Sequence, residues 1–354
     1  MEIKVVKTDH LKPKPTGALG FGTYYADYMF VYDYDEDQGG WHDARIVPYG
    51  PMEMDPASMV LHYAQETFEG LKAYKAKDGR VLLFRPEMNA RRFQNSNKRL
   101  SMPTLPEEDF VQAVNDLVKF QEDWIPTGEG ESLYIRPFMY ATEVAVGVHP
   151  AKSYKFMIIL SPVGAYYPEG VNPVKIYVED EYVRATLGGT GFTKCGGNYA
   201  GSLAAQVKAE KLGYTQVLWL DGVHRQYVEE VGSMNVMFKI NGKIITAPAG
   251  KTVLPGVTRD SIIHLLKDWG YEVEEKHLDI KDLMKAGEDG TLEEAWGTGT
   301  AAVISPIGEL YFKGEKVQIN NFKTGELTQK LYDTLTGIQW GVLPDKFHWT
   351  HEVK

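Results

Sequence analysis

The sequence has few cysteines, no excess of positive charge and no long apolar run. A single cysteine, Cys195, excludes an intrachain disulfide and fits a reducing compartment. The 48 acidic residues outnumber the 38 basic ones, and the net charge of −10 argues against nucleic acid or an anionic membrane as the partner. The first twenty residues lack the apolar core of a signal peptide. We therefore expect a soluble, cytoplasmic protein that has no metal site and binds small molecules rather than nucleic acid or membrane.

Strand and helix signals are mixed along the whole chain. Gly-Gly, Asp-Gly and Asn-Gly pairs between apolar runs predict hairpins, and apolar spacings of three and four predict helices. The predicted helices cover residues 56–65, 86–100, 110–124 and 201–212, and the predicted strands 28–32, 45–47, 71–74, 81–84, 133–139, 156–160 and 216–220. We therefore predict an α+β protein whose sheet order is largely antiparallel in the second half.

A change of composition predicts two domains. Residues 162–173 combine prolines, small residues and paired tyrosines, a composition that is typical of an interdomain linker. We predict a smaller N-terminal domain over residues 1–163, a linker over 164–174 and a larger C-terminal domain over 175–354 that carries Lys194.

Lys194 lies in the most unusual stretch of the sequence. Five glycines occur within residues 188–197, which indicates a bent backbone that lets a cofactor approach the lysine closely. A lysine placed in this way can serve as an amine nucleophile, although an exposed glycine loop with an incidental lysine fits these residues equally well. A P-loop is excluded because Cys195 stands where a serine or threonine is needed.

Two further stretches offer N–H groups to an anion. Residues 252–260 predict a strand end, a Pro-Gly turn and a helix start, where the N–H groups of Val257 and Thr258 suit a phosphate. Residues 297–302 form a glycine turn with hydroxyl groups. An ordinary helix start and an ordinary turn are the alternatives.

Two adjacent acids, Glu229 and Glu230, interrupt an apolar strand pattern. Strand alternation sends their side chains to opposite faces, so one carboxylate can be buried and the other solvated. A buried carboxylate needs a cationic partner. Either the protonated ring nitrogen of a pyridine cofactor or an arginine meets this need.

Taken together, these motifs resemble those of the fold-type IV pyridoxal-phosphate enzymes, and more narrowly those of the branched-chain amino acid aminotransferases. The resemblance rests on Lys-Cys-Gly-Gly-Asn-Tyr at 194–199, Glu-Glu-Val-Gly-Ser-Met-Asn at 229–235, Leu-Pro-Gly-Val-Thr-Arg at 254–259, Gly-Thr-Gly-Thr-Ala at 297–301, Phe-Glu-Gly-Leu-Lys-Ala at 68–73 and Tyr-Ile-Arg-Pro at 134–137. It implies a two-domain α+β fold with mixed or antiparallel sheets and flanking helices. It also implies transamination of leucine, isoleucine and valine with 2-oxoglutarate.

The resemblance implies a role for each of these positions toward pyridoxal 5'-phosphate. Lys194 bonds to the cofactor aldehyde and moves the substrate proton, Glu230 pairs with the ring nitrogen, and Tyr199 binds the phenolic oxygen. The remaining cofactor contacts are implied to hold the phosphate: Arg92, Val257, Thr258, Thr300 and, as a supporting residue, Arg184.

The resemblance also implies a substrate pocket. The side-chain pocket is implied to consist of Tyr25, Phe68, Tyr134 and Tyr166, with Tyr63, Ser233 and Ala301 at the α-carboxylate and Arg136 at the γ-carboxylate of glutamate. Tyrosines of this kind are commonly plain core, and an arginine on a strand is commonly a structural ion pair. The loop at 146–148 is implied to reach the second subunit of a homodimer.

Other functions share the fold. D-amino acid aminotransferases and aminodeoxychorismate lyases are implied as alternatives, although they are expected to have a shorter first domain and to lack the Tyr-Ile-Arg-Pro motif. A protein that binds the cofactor without turnover is a third alternative. The joint presence of Lys194, Glu230 and Tyr199 argues against it.

Overall fold

The structure, a computed structural model, describes residues 1–166 and 171–354. The chain divides into two compact units. The first consists of Met1–Tyr166, Thr193–Gly196 and Gly337–Lys354, and the second of Tyr167–Phe192 and Gly197–Thr336. The change of unit after Tyr166 falls within the predicted linker, of which residues 167–170 lie outside the described part.

This division differs from the predicted domains in two places. Lys194 and the C-terminal segment belong to the first unit rather than to the second. Long-range pairing is the reason, since the N–H of Phe68 donates to the carbonyl of Lys194 at 2.9 Å and the last strand pairs with residues 82–84.

A strand is present at each predicted strand range, and further strands lie elsewhere in the chain. In chain order they are β1 Lys4–Val5, β2 Tyr28–Asp35, β3 Gly40–Pro48, β4 Glu66–Phe68, β5 Leu71–Lys75, β6 Val81–Phe84, β7 Ser132–Ala141, β8 Ser153–Val163, β9 Val174–Glu179, β10 Gln216–Leu220, β11 Val228–Val231, β12 Met234–Ile240, β13 Lys243–Thr246, β14 Val273–Glu275, β15 Leu292–Gly299, β16 Val303–Phe312, β17 Glu315–Gln318 and β18 Thr350–Glu352.

The helices lie between these strands. They are α1 Val60–Tyr63, α2 Pro86–Arg99, α3 Glu107–Phe120, α4 Gly196–Ala200, α5 Leu203–Lys211, α6 Val257–Asp268, α7 Ile280–Glu288 and α8 Glu326–Gln339, with short 3₁₀ turns at Glu36–Gln38, Glu122–Trp124 and Asn320–Phe322. Pro86 occupies the first turn of α2, where its missing N–H costs nothing.

The first unit contains one sheet in the order β1-β3-β2-β8-β7-β5-β6-β18, with β4 on β7. Successive side chains of β2 point to opposite faces of the sheet, and each face packs into its own apolar cluster. Phe30 packs toward α2 and α3 in the main core, whereas Met29 and Val31 belong to a smaller cluster with Met157. Phe93 of α2 packs on Phe156 of β8, with ring centroids 5.4 Å apart.

The second unit contains a sheet in the order β11-β10-β9-β16-β15-β12-β13-β14, with β17 on β16. Because β11 also pairs with β12, six of these strands close into a ring. The sheet is mostly antiparallel, as predicted, although β9 runs parallel to β10 and β16, and β13 to β14. Glu230 and Asn235 face each other across the β11–β12 closure.

The predicted helix at 56–65 is wrong over most of its length. Only α1 is helical there, because Ser58 forms a β-bridge with Val144 and the N–H of Met59 donates to Glu143. Ala64 then adopts a left-handed conformation, φ 49°, which ends the helix before β4. A long-range pairing has therefore replaced a helix that local signals predict.

Residues 251–253 also differ from the prediction. They form a bend rather than a strand end, and Gly250 donates its N–H to the carbonyl of Val253 within that bend. The Pro-Gly turn and the start of α6 lie where they were predicted.

Candidate active site

Lys194 is held by its backbone in the first unit. Its N–H donates to Ser96 Oγ at 3.0 Å, and its carbonyl accepts the N–H of Phe68. The Nζ atom lies 4.5 Å from the centroid of the Phe68 ring. The amine is partly buried, so an apolar aromatic surface replaces part of its solvent.

Arg136 and Tyr134 share this aromatic surface. The guanidinium carbon of Arg136 lies 4.8 Å from the centroid of Phe68, and Nη2 donates to the Tyr134 hydroxyl at 2.9 Å. Gly70 makes room for that hydroxyl, because a Cβ at position 70 would stand 2.3 Å from it. The structure therefore brings together four predicted site residues of the first unit: Lys194, Phe68, Tyr134 and Arg136.

The other predicted aromatic residues of the substrate site make separate contacts. Tyr25 stacks on Tyr49 with ring centroids 5.1 Å apart, and its hydroxyl donates to the Gly22 carbonyl. Tyr166 is 51% exposed. The Tyr63 hydroxyl donates to the carbonyl of Val146, which ties it to the loop predicted to reach a second subunit.

Arg92 forms a buried ion pair with Glu69. Its Nε donates to one carboxylate oxygen at 2.8 Å and its Nη2 to the other at 2.7 Å, and Asn89 adds a third hydrogen bond at 2.8 Å. Glu69 has no exposed surface. Replacement of Arg92 alone would therefore leave the Glu69 carboxylate buried and without its cationic partner. Sequence reasoning missed Glu69, although its place directly after Phe68 in the quoted motif was a signal.

Glu230 is the centre of a polar cluster in the second unit. Its carboxylate accepts the N–H of Leu254 at 2.7 Å and the amide of Asn235 at 3.2 Å, and it pairs with Arg184 Nε at 3.0 Å. Arg184 also donates to the carbonyls of Gly191 and Thr252. Arg184 thus supplies a cationic partner to Glu230, and its predicted support of phosphate binding stays a prediction.

Both adjacent acids are buried, although strand alternation would have allowed one of them to be solvated. Glu229 is 5% exposed and Glu230 is 2% exposed. One oxygen of Glu229 accepts from the Thr252 hydroxyl, and the other has no hydrogen-bond partner among the described residues. Burial raises the pKa of Glu229 to about 6, with Glu230 and Asp221 adding to the rise.

The pKa of Glu229 has a consequence for stability. Because the folded value exceeds the ordinary value of 4.5, this group stabilises the fold fully below pH 4.5 and loses that contribution as the pH rises through about 6. We expect Glu229→Gln to gain stability relative to wild type between pH 5 and pH 8, by about 2–4 °C in Tm. Thermal unfolding of both proteins at several pH values measures this.

Exposed Glu288 at the end of α7 provides the control. Glu288→Gln makes the same chemical change at a solvent-exposed position, and its Tm is measured over the same pH range. A constant offset for Glu229→Gln would contradict the raised pKa.

The predicted phosphate ligands of the second unit lie at a helix start and a turn. Helix α6 begins at Val257 after Gly256, an N-cap residue that has no side chain to cap the first turn. Thr300 and Ala301 form the turn between β15 and β16 and are partly buried. The hydroxyl of Thr298, one residue before Gly299, is buried without a hydrogen-bond partner in the described part of the chain.

Tyr199 and Ser233 occupy short segments. Tyr199 is on α4, and its carbonyl accepts from the Ser202 hydroxyl at 2.6 Å. Thr190 of the preceding loop and Asn198 of α4 form two hydrogen bonds with each other, of 2.7 and 2.8 Å. Ser233 is exposed in the turn between β11 and β12.

Metal-binding clusters and membrane-spanning helices are absent from residues 1–166 and 171–354. This part of the chain contains no group of three or more His, Cys, Asp or Glu side chains that could hold a metal ion. None of its helices has the length and apolar character that a membrane span requires. The single thiol, Cys195, is buried and accepts from the Thr193 hydroxyl at 3.3 Å.

Comparison with known proteins identifies the family. Residues 66–310 match the amino-transferase class IV family. "Branched-chain-amino-acid aminotransferase 2" of Bacillus subtilis (strain 168) is 56% identical over 352 residues, which cover 99% of this chain and 97% of that protein.

Solved structures have the same fold. The branched-chain amino acid aminotransferase of Escherichia coli has a TM-score of 0.77 at 27% identity, covering 93% of this chain and 99% of that chain. The branched-chain amino acid aminotransferase from Thermobaculum terrenum in its PLP-form has a TM-score of 0.76 at 25% identity, covering 93% of this chain and 98% of that chain. These likenesses confirm the predicted fold type. Because the family match spans more than half of the sequence, the chain belongs to the amino-transferase class IV family.

Proposed function

We infer that this protein is a pyridoxal-phosphate-dependent aminotransferase that exchanges the amino group between leucine, isoleucine or valine and 2-oxoglutarate. The observation that carries this function is a shared aromatic surface. The Phe68 ring contacts both the Lys194 amine, at 4.5 Å, and the Arg136 guanidinium, at 4.8 Å. An amine for the chemistry, an apolar wall for a branched side chain and a cation for a dicarboxylate therefore meet at one ring.

The residues present fit pyridoxal phosphate. Lys194 offers an amine to the aldehyde, and buried Glu230 offers a carboxylate to the ring nitrogen. The first turn of α6, which follows the glycine N-cap Gly256, offers N–H groups to the phosphate. Tyr199, Arg92, Thr258 and Thr300 complete the set that we propose to hold the cofactor. When bound, the cofactor accepts the electron pair left on the substrate Cα.

Lys194 is the proton carrier in this proposal. Its Nζ would take the proton from the substrate Cα and pass it on to the bound cofactor within the first half-reaction, and would carry a proton from the cofactor to Cα of the new amino acid in the second. The Phe68 ring keeps water away from one side of the amine. Backbone hydrogen bonds from Phe68 and to Ser96 fix the position from which the side chain reaches the substrate.

Arg184 has a defined part next to Glu230. A guanidinium 3.0 Å from the carboxylate favours its ionised form, and the Leu254 N–H does the same. An ionised Glu230 is what holds a proton on a ring nitrogen. The arginine and the pyridine, which the sequence left as alternatives, are therefore compatible partners, because a carboxylate has two oxygens and about four acceptor positions.

We expect Glu230→Gln to retain the cofactor but to lower kcat by about 10²-fold, because a neutral amide cannot hold a ring nitrogen protonated. Steady-state rates with leucine, together with absorbance of the bound cofactor, measure this. Glu229→Gln is the matched control, since it makes the same change one residue away. A near-normal rate in Glu230→Gln, or an equal loss in the control, would contradict the assignment.

A panel of amino donors tests the function itself. Purified protein with pyridoxal phosphate is assayed with 2-oxoglutarate and each of L-leucine, L-isoleucine, L-valine, D-alanine and L-phenylalanine. We expect the three branched-chain L-amino acids to have the highest kcat/KM. Preference for D-alanine, or no turnover with any donor, would overturn the proposal in favour of a different family activity or of binding without turnover.

We also propose that the working unit is a homodimer. The loop after β7 exposes Val144, Val146 and Val148 at 58, 65 and 83%, which is unusual for three valines so close together. A second copy that covers this loop would bury them. Sedimentation of the purified protein is expected to give about twice 39.8 kDa, and a monomer at assay concentration would contradict the dimer.

A cytoplasmic location completes the proposal. It is supported by Cys195, a free thiol of the kind that persists in reducing compartments. Cell fractionation with an antibody against the protein tests it.

A further inference from the structure

The backbone around Lys194 is tied to the first unit at three points. Ser96 accepts the N–H of Lys194, Phe68 donates to its carbonyl, and a carboxylate oxygen of Glu66 accepts the N–H of Gly196. The residues before and after Thr193–Gly196 belong to the second unit. These three hydrogen bonds therefore determine where the lysine side chain starts.

Glu66 is placed for this contact by its strand. It lies two residues from Phe68 on β4, so both side chains point to the same face. Phe68 pairs with Phe138 of β7, which puts Arg136 on that face as well, two residues along. The carboxylate of Glu66 thus shares a surface with the ring that contacts the lysine amine.

Gly196 leaves room for the Glu66 carboxylate, which would have to move if position 196 carried a Cβ. A Cβ there would lie 2.3 Å from the Glu66 carboxylate oxygen, closer than any real contact. The carboxylate is therefore seated directly on the backbone two residues after Lys194. Glu66 is also half-buried, and burial raises its pKa while the Gly196 N–H and Arg136 oppose that rise.

We propose that Glu66 is a positioning residue that orients Lys194 through the N–H of Gly196. The inference rests on the proposed role of Lys194. Hydrogen-bond acceptance, rather than contact with the substrate, is the function of the carboxylate. Removing the acceptor frees the 194–196 backbone, and a displacement of the amine by about 1 Å is enough to slow its reaction about 10²-fold.

Cofactor capture by the apoprotein is the test, because it needs no turnover. We expect Glu66→Ala to bond pyridoxal phosphate about 10- to 100-fold more slowly than wild type. The rate is measured by the absorbance of the bound cofactor, and borohydride reduction with peptide mapping shows that the label is on Lys194. Glu66→Gln keeps an amide oxygen that accepts the N–H, so its rate is expected to return close to that of wild type.

Glu131 provides a matched control in the same unit. Its carboxylate also accepts a glycine N–H, that of Gly128 at 2.9 Å, and Glu131→Ala is expected to capture the cofactor at the wild-type rate. If Glu66→Ala does not fold, Glu66→Met replaces it, since methionine keeps the length without an acceptor.

The possible outcomes distinguish a failure of the role of Glu66 from a failure of the proposed role of Lys194. The role of Glu66 alone is overturned if the label is on Lys194 and Glu66→Ala captures the cofactor at the wild-type rate. It is also overturned if Glu66→Gln captures the cofactor as slowly as Glu66→Ala. Label on another lysine in the wild type overturns the proposed function of Lys194.

Discussion

Lys194→Ala is expected to abolish transamination, with kcat lower by at least about 10²- to 10⁴-fold, the usual contribution of a general acid–base group. The loss has two causes, because the same amine bonds the cofactor and moves the substrate proton. Lys194→Arg keeps the positive charge but not the nucleophilic amine, and we expect it to be as inactive. Steady-state assays with leucine and 2-oxoglutarate measure both variants.

Lys72 is the rival that this experiment must exclude. It is buried in the same unit, 6% exposed, and burial lowers its pKa to about 8, which makes it a chemically competent amine. Borohydride reduction followed by peptide mapping decides between the two lysines. We expect the pyridoxyl label on Lys194, and label on Lys72 would reject the assignment.

Arg136→Ala is expected to lose kcat/KM for glutamate and 2-oxoglutarate far more than for leucine. One pocket must accept both substrates, and a γ-carboxylate against Phe68 and Tyr134 without a cation would be desolvated and unpaired. The guanidinium lies on both rings, 4.8 Å from the Phe68 centroid and 5.3 Å from that of Tyr134. The Nε atom is buried and has no hydrogen-bond partner in the described part of the chain.

The selective loss should be about 2–4 kcal/mol, the usual cost of removing one partner of a buried charge pair. Half-reactions with leucine and with glutamate, each followed by cofactor absorbance, measure it. Tyr134→Phe is the control, because it removes the hydroxyl that bonds Arg136 and keeps both the ring and the guanidinium. Equal losses for the two donors in Arg136→Ala would mean that the arginine is structural.

The features that local sequence patterns could predict are those that depend on near neighbours. Hairpins followed from turn residues, such as the Asn241-Gly242 pair, whose φ values of 50° and 75° are both positive. Helix α3 followed from apolar spacing. Pro86 marked the start of α2 and Gly213 the end of α5, as expected. The resemblance added the roles, which no local pattern contains.

Where local signals competed with distant partners, the prediction failed. The stretch at 56–65 has a good N-cap and an apolar stripe, yet Ser58 pairs with Val144 across 86 residues of chain. Alternation correctly sends Glu229 and Glu230 to opposite faces of β11. It could not predict that both faces are covered, since that depends on strands and loops far away in the sequence.

The order of residues along the chain specifies which chemical groups are available: the lysine among glycines, the paired acids, the helix start after Pro-Gly and the hairpins that carry them. Which of these groups meet is a property of the folded chain. Glu69 with Arg92, Glu230 with Arg184, and Glu66 with Gly196 are separated by 23, 46 and 130 residues. Pairs of this kind form because burial of a charge requires a partner, and the fold, rather than the local chain, determines which partner lies within reach.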